Sequence, residues 1–118
     1  MSPAQVIELI GRPKRARRLA GGAALRWHYP GLLVQFNRKN NFVTSIRTLQ
    51  RGARTAAGIA VGAYVGSLAR RLNPEDTICT RTGAIQSCVV AAFFTVTEYR
   101  VVNGRVAWIE VTLVPGLF

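Results

Sequence analysis

The chain has 118 residues, of which 49% are hydrophobic, and a formal net charge of +11 from 16 Lys and Arg residues against 5 acidic ones. This length fits one ordinary domain or two small units, and the apolar fraction excludes a disordered chain. The longest run of small apolar residues, 56–66, is far shorter than the roughly 20 residues that a membrane-spanning helix needs, so we expect no transmembrane segment.

The chain begins with the pattern of a short helix. Ser2 is a favourable N-cap, Pro3 suits the first helical position, and Gly11 is a typical helix end. Between them, apolar residues at positions i, i+3 and i+4 predict a single apolar stripe, formed by Val6, Leu9 and Ile10.

Residues 13–22 are basic and end in glycine, and we interpret them as a loop. Alternating patterns then predict three strands, at Ala24–Tyr29, Leu32–Phe36 and Phe42–Leu49. In the first of these, Trp27 and Tyr29 share one face, while Arg26 and His28 share the other.

Residues 50–55 form a basic connector, after which apolar residues at helical spacing predict a second helix from about Gly62 to Asn73. The remaining patterns predict strands at 77–82, 86–93, 95–102 and 105–113. Asn103-Gly104 between two alternating runs is a strong hairpin signal. A two-residue loop would pair Val101 with Val106, and Tyr99 with Trp108.

The order of these patterns predicts an α+β protein of two tandem units, residues 1–55 and 56–118. Each unit would be a short helix followed by an antiparallel sheet, with the helices on one face. A unit of this size is marginal as an independent core, so we expect the two to form one compact domain.

Several short motifs in this arrangement resemble known families. They are Ser2-Pro3-Ala4-Gln5-Val6, Gly11-Arg12-Pro13 and Trp27-His28-Tyr29 in the first unit, and Gly58-Ile59-Ala60-Val61-Gly62, Val65, Leu68 and Gly104-Arg105-Val106 in the second. On these residues the chain resembles the β-lactamase inhibitory protein and the small outer-membrane lipoprotein domain of the assembly-machinery type. The resemblance implies a non-enzymatic, extracytoplasmic binding protein. It also implies a disulfide after the second helix, where Cys79 and Cys88 lie.

Cys79 and Cys88 are the only cysteines, and their spacing around Gly83 is typical of a disulfide that closes a hairpin. Such a bond would indicate an oxidising compartment. The alternative is a pair of buried free thiols in a cytosolic protein. The spacing does not fit a zinc site, and His28 is the only other soft ligand, so we expect no metal.

The positive charge is concentrated in the first half of the chain. Residues 1–55 contain eleven basic residues and one acid, whereas residues 56–118 contain five basic residues and four acids. Such a charge attracts anions, although a composition bias from a GC-rich genome is the alternative explanation. Eight residues are candidates for contact with an anion or partner: Lys14, Arg15, Arg17, Arg18, Arg38, Lys39, Arg51 and Arg54.

No catalytic constellation is evident in the sequence. The only His, His28, and the only Asp, Asp76, have no local serine that would complete a triad. Glu98 and Glu110 fall on predicted strands near arginines, so a glycosidase-like pair is not favoured. We therefore expect neither enzymatic activity nor a cofactor.

Two functions are favoured over a third, a small enzyme whose site is assembled from scattered residues. The first is a non-enzymatic binding module for an acidic protein surface or an anionic envelope component. It would be extracytoplasmic, periplasmic or secreted, with its leader absent from this chain because Ser2-Pro3-Ala4-Gln5 lacks the pattern of one. The second is a cytoplasmic nucleic-acid-binding protein, because a basic strip near Trp27, Tyr29, Phe36 and Phe42 is how single strands are held.

Overall fold

The structure is a computed structural model that describes residues 2–40, 42–92 and 94–113. It contains two compact units, Met1–Arg47 and Thr48–Phe118. The helices and strands are α1 (Pro3–Ile10), β1 (Arg15–Leu19), β2 (Ala24–Tyr29), β3 (Leu32–Asn37), β4 (Phe42–Thr48), α2 (Gly66–Arg71), β5 (Thr77–Thr82), β6 (Ile85–Ala91), β7 (Thr95–Val102) and β8 (Arg105–Leu113). Short 3-10 turns lie at Ala20–Gly22 and Pro74–Asp76.

Antiparallel strands dominate the fold. They follow the order β1-β2-β3-β4 in the first unit and β8-β7-β6-β5 in the second. The prediction of an α+β protein with two tandem helix-plus-sheet units is therefore wrong. The second helix spans only six residues, Gly66–Arg71. Gly58 and Gly62 have φ angles of 82° and 96°, outside the helical region, so the chain between them forms turns and isolated bridges instead.

Helix α1 has the ends that the sequence predicts. The Ser2 hydroxyl accepts a hydrogen bond from the Gln5 N–H at 3.3 Å, and the Gln5 side chain accepts one from the Ser2 N–H at 2.8 Å. This reciprocal capping box satisfies two backbone N–H donors at the start of the helix, which have no partner within the helix itself. Of the apolar stripe, only Val6 is buried, whereas Leu9 and Ile10 are 66% and 47% exposed.

The core of the first unit lies on one side of its sheet. Its buried members are Val6, Val34, Phe36 and Val43. The register of β2 on β3 brings Leu25 and Trp27 to the same side, and the Trp27 and Phe36 rings meet edge to face with centroids 4.7 Å apart. The aromatic side of β2 is therefore the inward side.

The prediction of a loop over residues 13–22 is wrong, because part of this segment forms strand β1. Residues Arg15–Leu19 pair antiparallel with β2, with Arg15 opposite His28 and Leu19 opposite Ala24. The sequence shows no alternation of buried and exposed residues here, because β1 is an edge strand and the side chains of Arg15–Arg18 are all exposed. Charged residues are common on such edge strands, where they prevent pairing with other chains.

The second unit has a larger core behind the β6–β7–β8 strands. Its buried members are Ile59, Val61, Leu68, Cys88, Tyr99, Val101, Val106 and Ile109. The hydroxyl of Tyr99 donates to the Thr55 hydroxyl at 2.8 Å, which satisfies the polar end of a fully buried ring. Burial raises the pKa of Tyr99, so this phenol stays protonated at neutral pH.

The β7–β8 hairpin forms at the predicted Asn103-Gly104 turn, where both residues have positive φ, 50° and 78°. Val101 pairs with Val106, which confirms that prediction. The pairing of Tyr99 with Trp108 is wrong, because a β-bulge between Arg100 and Val101 shifts the register by one residue. Tyr99 pairs with Ile109 and enters the core, while Trp108 lies opposite Arg100.

A disulfide joins Cys79 and Cys88, which are direct partners in the register of β5 on β6. Their Cα atoms are 4.1 Å apart. Cys88 is buried in the core and Cys79 is exposed on the last strand of the sheet order, so the bond ties that strand to the core. Among the described residues, no helix is long and apolar enough to cross a membrane.

Replacement of both cysteines by alanine is expected to lower the free energy of unfolding by roughly 2–3 kcal/mol, because the bond closes a loop of about ten residues in the unfolded chain. Chemical denaturation of C79A/C88A against the oxidised protein measures this loss. Intact mass under non-reducing conditions should show two hydrogens fewer than the reduced chain, with no alkylation. Full alkylation of the native protein would contradict the bond.

Candidate anion-binding face

Five basic side chains lie on or beside one face of the β1–β2 ladder, which we call the basic face: Lys14, Arg15, Arg17, Arg26 and His28. Alternate residues of a strand point to opposite faces. Because Arg15 is opposite His28 and Arg17 is opposite Arg26, these four belong to one face. Lys14 directly precedes β1, and its backbone N–H donates to the carbonyl of His28 at 2.9 Å.

The basic face is the side of the sheet away from the first unit's core. Leu25 and Trp27, which alternate with Arg26 and His28 along β2, pack against the core. Arg15 and Arg17 are exposed, whereas Arg26 and His28 are half-buried. The next strand adds no charge, because Leu33 and Gln35 lie opposite His28 and Arg26. Arg15 and Arg17 therefore face solvent, and the strand beyond Arg26 and His28 neither adds to nor offsets their charge.

The charge on this face is not neutralised within the described part of the first unit. Like charges directly opposite each other on two strands repel. Arg26 donates to the side chain of Gln35 at 3.2 Å, a neutral partner. The only acid in residues 1–47 is Glu8, and no ion pair to Arg15, Arg17 or Arg26 occurs among the described residues. An uncompensated cationic surface of this kind attracts anions.

His28 lies within this charge. Burial lowers the pKa of its imidazole below 6.5, and the positive charges of Arg15, Arg26 and Arg17 lower it further. The ring is therefore mainly neutral at pH 7. Its Nε2 atom is buried and forms no hydrogen bond with any described residue.

One end of the basic face contains a pocket. It has a volume of about 340 Å³ and is lined by Lys14, Arg15, His28, Tyr29 and Pro30. Tyr29 is fixed there because its hydroxyl donates to the carbonyl of Gly11 at 2.9 Å. The pocket wall therefore combines two cationic side chains with the ring of Tyr29, which is held by a hydrogen bond.

The other predicted contact residues of the first unit lie elsewhere. Arg18 is on β1 but points to the face opposite that of Arg15 and Arg17, since it pairs with Leu25. Arg38 and Lys39 lie in the turn after β3, at the end of the strands away from Lys14. The Arg38 guanidinium comes within 3.8 Å of the position that a Cβ on Gly22 would occupy.

Arg51 and Arg54 belong to the second unit. Arg54 forms an isolated backbone bridge with Ala60. Arg51 packs beside Gly62 and lines a cavity of about 530 Å³ together with Arg105. Arg105 is already engaged, because its guanidinium donates to the carbonyl of Gly62 at 3.0 Å and stacks on the ring of Tyr64 at 3.9 Å.

Arg26 and His28 complete the basic face, although the predicted contact set does not include them. The alternation along β2 placed both on its polar side, but the interpretation of residues 13–22 as a loop hid their partners. Arg15 and Arg17 are two residues apart, as are Arg26 and His28. This shared spacing was the signal in the sequence for two paired strands with their basic residues on one face.

A second polar cluster lies on the side of β6–β8 away from the second unit's core. Glu98 accepts hydrogen bonds from the Ser87 hydroxyl at 2.8 Å and from Arg100 at 3.2 Å. The Arg100 guanidinium also lies over the ring of Trp108, 4.8 Å from its centroid. Glu98 and Glu110 are opposite each other in the register. Because Glu98 is held by two donors, we interpret the cluster as structural.

The described residues contain no group of three His, Cys, Asp or Glu side chains that could hold a metal ion. The charged side chains that act on His28 are arginines, and none of the described carboxylates pairs with it. The absence of enzymatic activity stays a prediction.

Comparison with known proteins adds information about the fold. No protein-family model and no curated protein matches the sequence. Two solved structures resemble it across nearly its whole length. An extracellular protein containing an SCP domain from Bacillus anthracis has a TM-score of 0.69 at 9% identity over 98% of this chain. A cysteine-rich secretory protein from Staphylococcus aureus has a TM-score of 0.66 at 7% identity over 97%. The chain spans only 44% of either protein.

A third solved structure, a DUF4309 family protein from Bacillus subtilis, has a TM-score of 0.61 at 13% identity, over 96% of this chain and 78% of that one. At these identities the likeness concerns the fold alone. The resemblance to the β-lactamase inhibitory protein and the small outer-membrane lipoproteins is not tested by these neighbours and stays a prediction.

Acidification is expected to destabilise the protein through His28. The folded-state pKa of His28 lies below its ordinary value of 6.5, so the unfolded chain takes up this proton first as the pH falls. The free energy of unfolding should therefore decrease as the pH drops below about 6.5, until the folded imidazole is also protonated. Thermal melts of the wild type and H28Q between pH 8 and pH 5 measure the effect. The difference between the two curves should change with pH, and parallel curves would contradict the prediction.

Proposed function

We propose that this chain is a non-enzymatic, extracytoplasmic binding module whose basic face holds an anionic component of the cell envelope. The observation that carries the proposal is the register of β1 on β2. It places Arg17 opposite Arg26, and Arg15 opposite His28, with no described carboxylate beside them. Such an arrangement is unfavourable alone and becomes favourable when an anion lies across it.

The compartment is supported by two observations. The Cys79–Cys88 disulfide is of a kind that persists in oxidising compartments and is rare in the cytosol. Two proteins of similar fold are described as extracellular or secretory.

The chemistry of the face favours phosphate or carboxylate groups on a polymer or surface. Arginine presents a planar fork of donors that matches both groups in a bidentate manner. The cations are spread along two strands rather than gathered in one cleft, which suits an extended partner with repeated charges. An acidic protein surface shares this chemistry but requires matching apolar contact, and on this face the described apolar residue beside the cations is the half-buried Leu33.

Single-stranded nucleic acid is less well supported. Proteins that hold single strands combine a basic groove with exposed aromatic rings on which bases stack. Here Trp27 and Phe36 contact each other on the core side of β2 and β3, away from the basic face. The described aromatic rings beside the cations are those of Tyr29 and His28, in the pocket at one end of the face, so the rest of the face offers no ring on which successive bases could stack.

Removal of two face charges is expected to weaken polyanion binding by at least about tenfold. The variant is R15Q/R17Q, and the matched control is R70Q/R81Q, which removes two exposed arginines from the second unit. Binding of poly(glycerol phosphate) is measured by fluorescence anisotropy from 50 to 300 mM salt. Because each phosphate contact releases counterions, the slope of log affinity against log salt should fall by about 1–2 in the variant only.

Equal losses in both variants would show that net charge alone drives association, and would overturn the proposal. Single-stranded DNA of the same charge density serves as the competitor. Preferential binding of that DNA would favour the nucleic-acid function instead.

A further inference from the structure

We propose that the pocket at the end of the basic face is a discrete site for one phosphodiester group. The pocket is the one lined by Lys14, Arg15, His28, Tyr29 and Pro30. The inference rests on the proposed function for its biological partner, a phosphate-containing envelope polymer. The site itself is defined by the residues that line it and is tested separately below.

The positions of Lys14 and Arg15 are set by the backbone. The Lys14 N–H bonds the His28 carbonyl at 2.9 Å, and Arg15 is the register partner of His28. Both side chains line the same pocket, so an ammonium group and a guanidinium group lie on its wall. An ammonium group is a compact point charge and a guanidinium group is a fork of donors, and proteins use both to bind phosphate.

The size and rigidity of the pocket suit a small group rather than an ion alone. Its volume of about 340 Å³ is at the lower end of the range for small-molecule sites. Tyr29 is anchored to Gly11, and the Pro30-Gly31 turn that follows has its glycine at a φ of 70°. A phosphate group with part of a glycerol or sugar unit on each side would occupy this space.

A tetrahedral phosphate matches the wall better than a planar carboxylate does. Two side chains with several nitrogen donors each, Lys14 and Arg15, line the pocket beside the His28 ring. A phosphodiester offers oxygens in more directions than a carboxylate. A phosphodiester is a strong acid and keeps a single negative charge between pH 5.5 and pH 7.5, so only the protein would titrate in that range.

His28 couples the site to pH through charge rather than through direct contact. Its Nε2 is covered by neighbouring atoms. The charged groups around the ring are Arg15 and Arg17 from β1 and Arg26 from β2, while the β3 residue opposite it is the uncharged Leu33. An anion beside Arg15 would offset this positive potential and favour protonation of His28. By linkage, the same anion would bind more tightly when His28 is protonated.

The experiment uses the full oxidised chain and its single histidine as the reporter. Imidazole resonances of 15N-labelled protein are followed during titration with glycerophosphoglycerol, with acetate and chloride at equal ionic strength as comparison anions. The diester should produce a saturable shift that the comparison anions do not, raise the pKa of His28, and bind at least about threefold more tightly at pH 5.5 than at pH 7.5.

Variants separate the pocket from general charge. R15Q should weaken diester binding at least about tenfold, while R70Q, in the second unit, should change it by less than twofold. H28Q, followed by calorimetry, should bind the diester with an affinity that no longer varies between pH 5.5 and pH 7.5. A shift that does not saturate, an equal response to acetate, or an unchanged pH dependence in H28Q would overturn the inference.

The two experiments distinguish failure of the discrete phosphodiester site from failure of the proposed function. If poly(glycerol phosphate) binds through Arg15 and Arg17 but the diester does not saturate, the face is functional and the discrete site is refuted. If the diester saturates and the polymer does not bind, the pocket stands and the envelope-binding proposal falls.

Discussion

The antiparallel pairing of β1 with β2 is the constraint on which the candidate site depends. A slip of one residue would move Arg15 and Arg17 to the side of β2 that carries Trp27 and would place Ala16 and Arg18 beside His28. The strand is almost wholly exposed, so its own side chains contribute little burial. The pairing is instead held by backbone hydrogen bonds to β2, whose other face packs in the core through Leu25 and Trp27.

The two units handle charge differently. In the second unit, Arg100 is bonded to Glu98 and lies over Trp108, and Arg105 is bonded to Gly62 and Tyr64. In the first unit, Arg15 and Arg17 have no acidic partner among the described residues. Proteins retain unpaired charges of this kind chiefly at functional sites.

The solved structures of similar fold share between 7% and 13% of their residues with this chain. Identity this low is compatible with one fold because the fold requires only apolar residues at alternating inward positions and turns at suitable places. The fold does not require the same surface residues, so the proposed function is inferred from the basic face of this chain. The fold likewise does not depend on a long-range disulfide, because the Cys79–Cys88 bond joins direct partners on neighbouring strands.

Local signals in the sequence determined several elements by themselves. Ser2 and Pro3 fixed the start of α1, Asn103-Gly104 fixed the β7–β8 turn, and alternation assigned the two faces of β2, because each effect acts within a few residues. Only the tertiary structure decided the predominantly β fold, the pairing of β1, and the bulge that pairs Trp108 with Arg100 rather than with Tyr99. Those features depend on which strands become neighbours, and the free energy of that choice comes from hydrogen bonds and packing between residues distant in sequence.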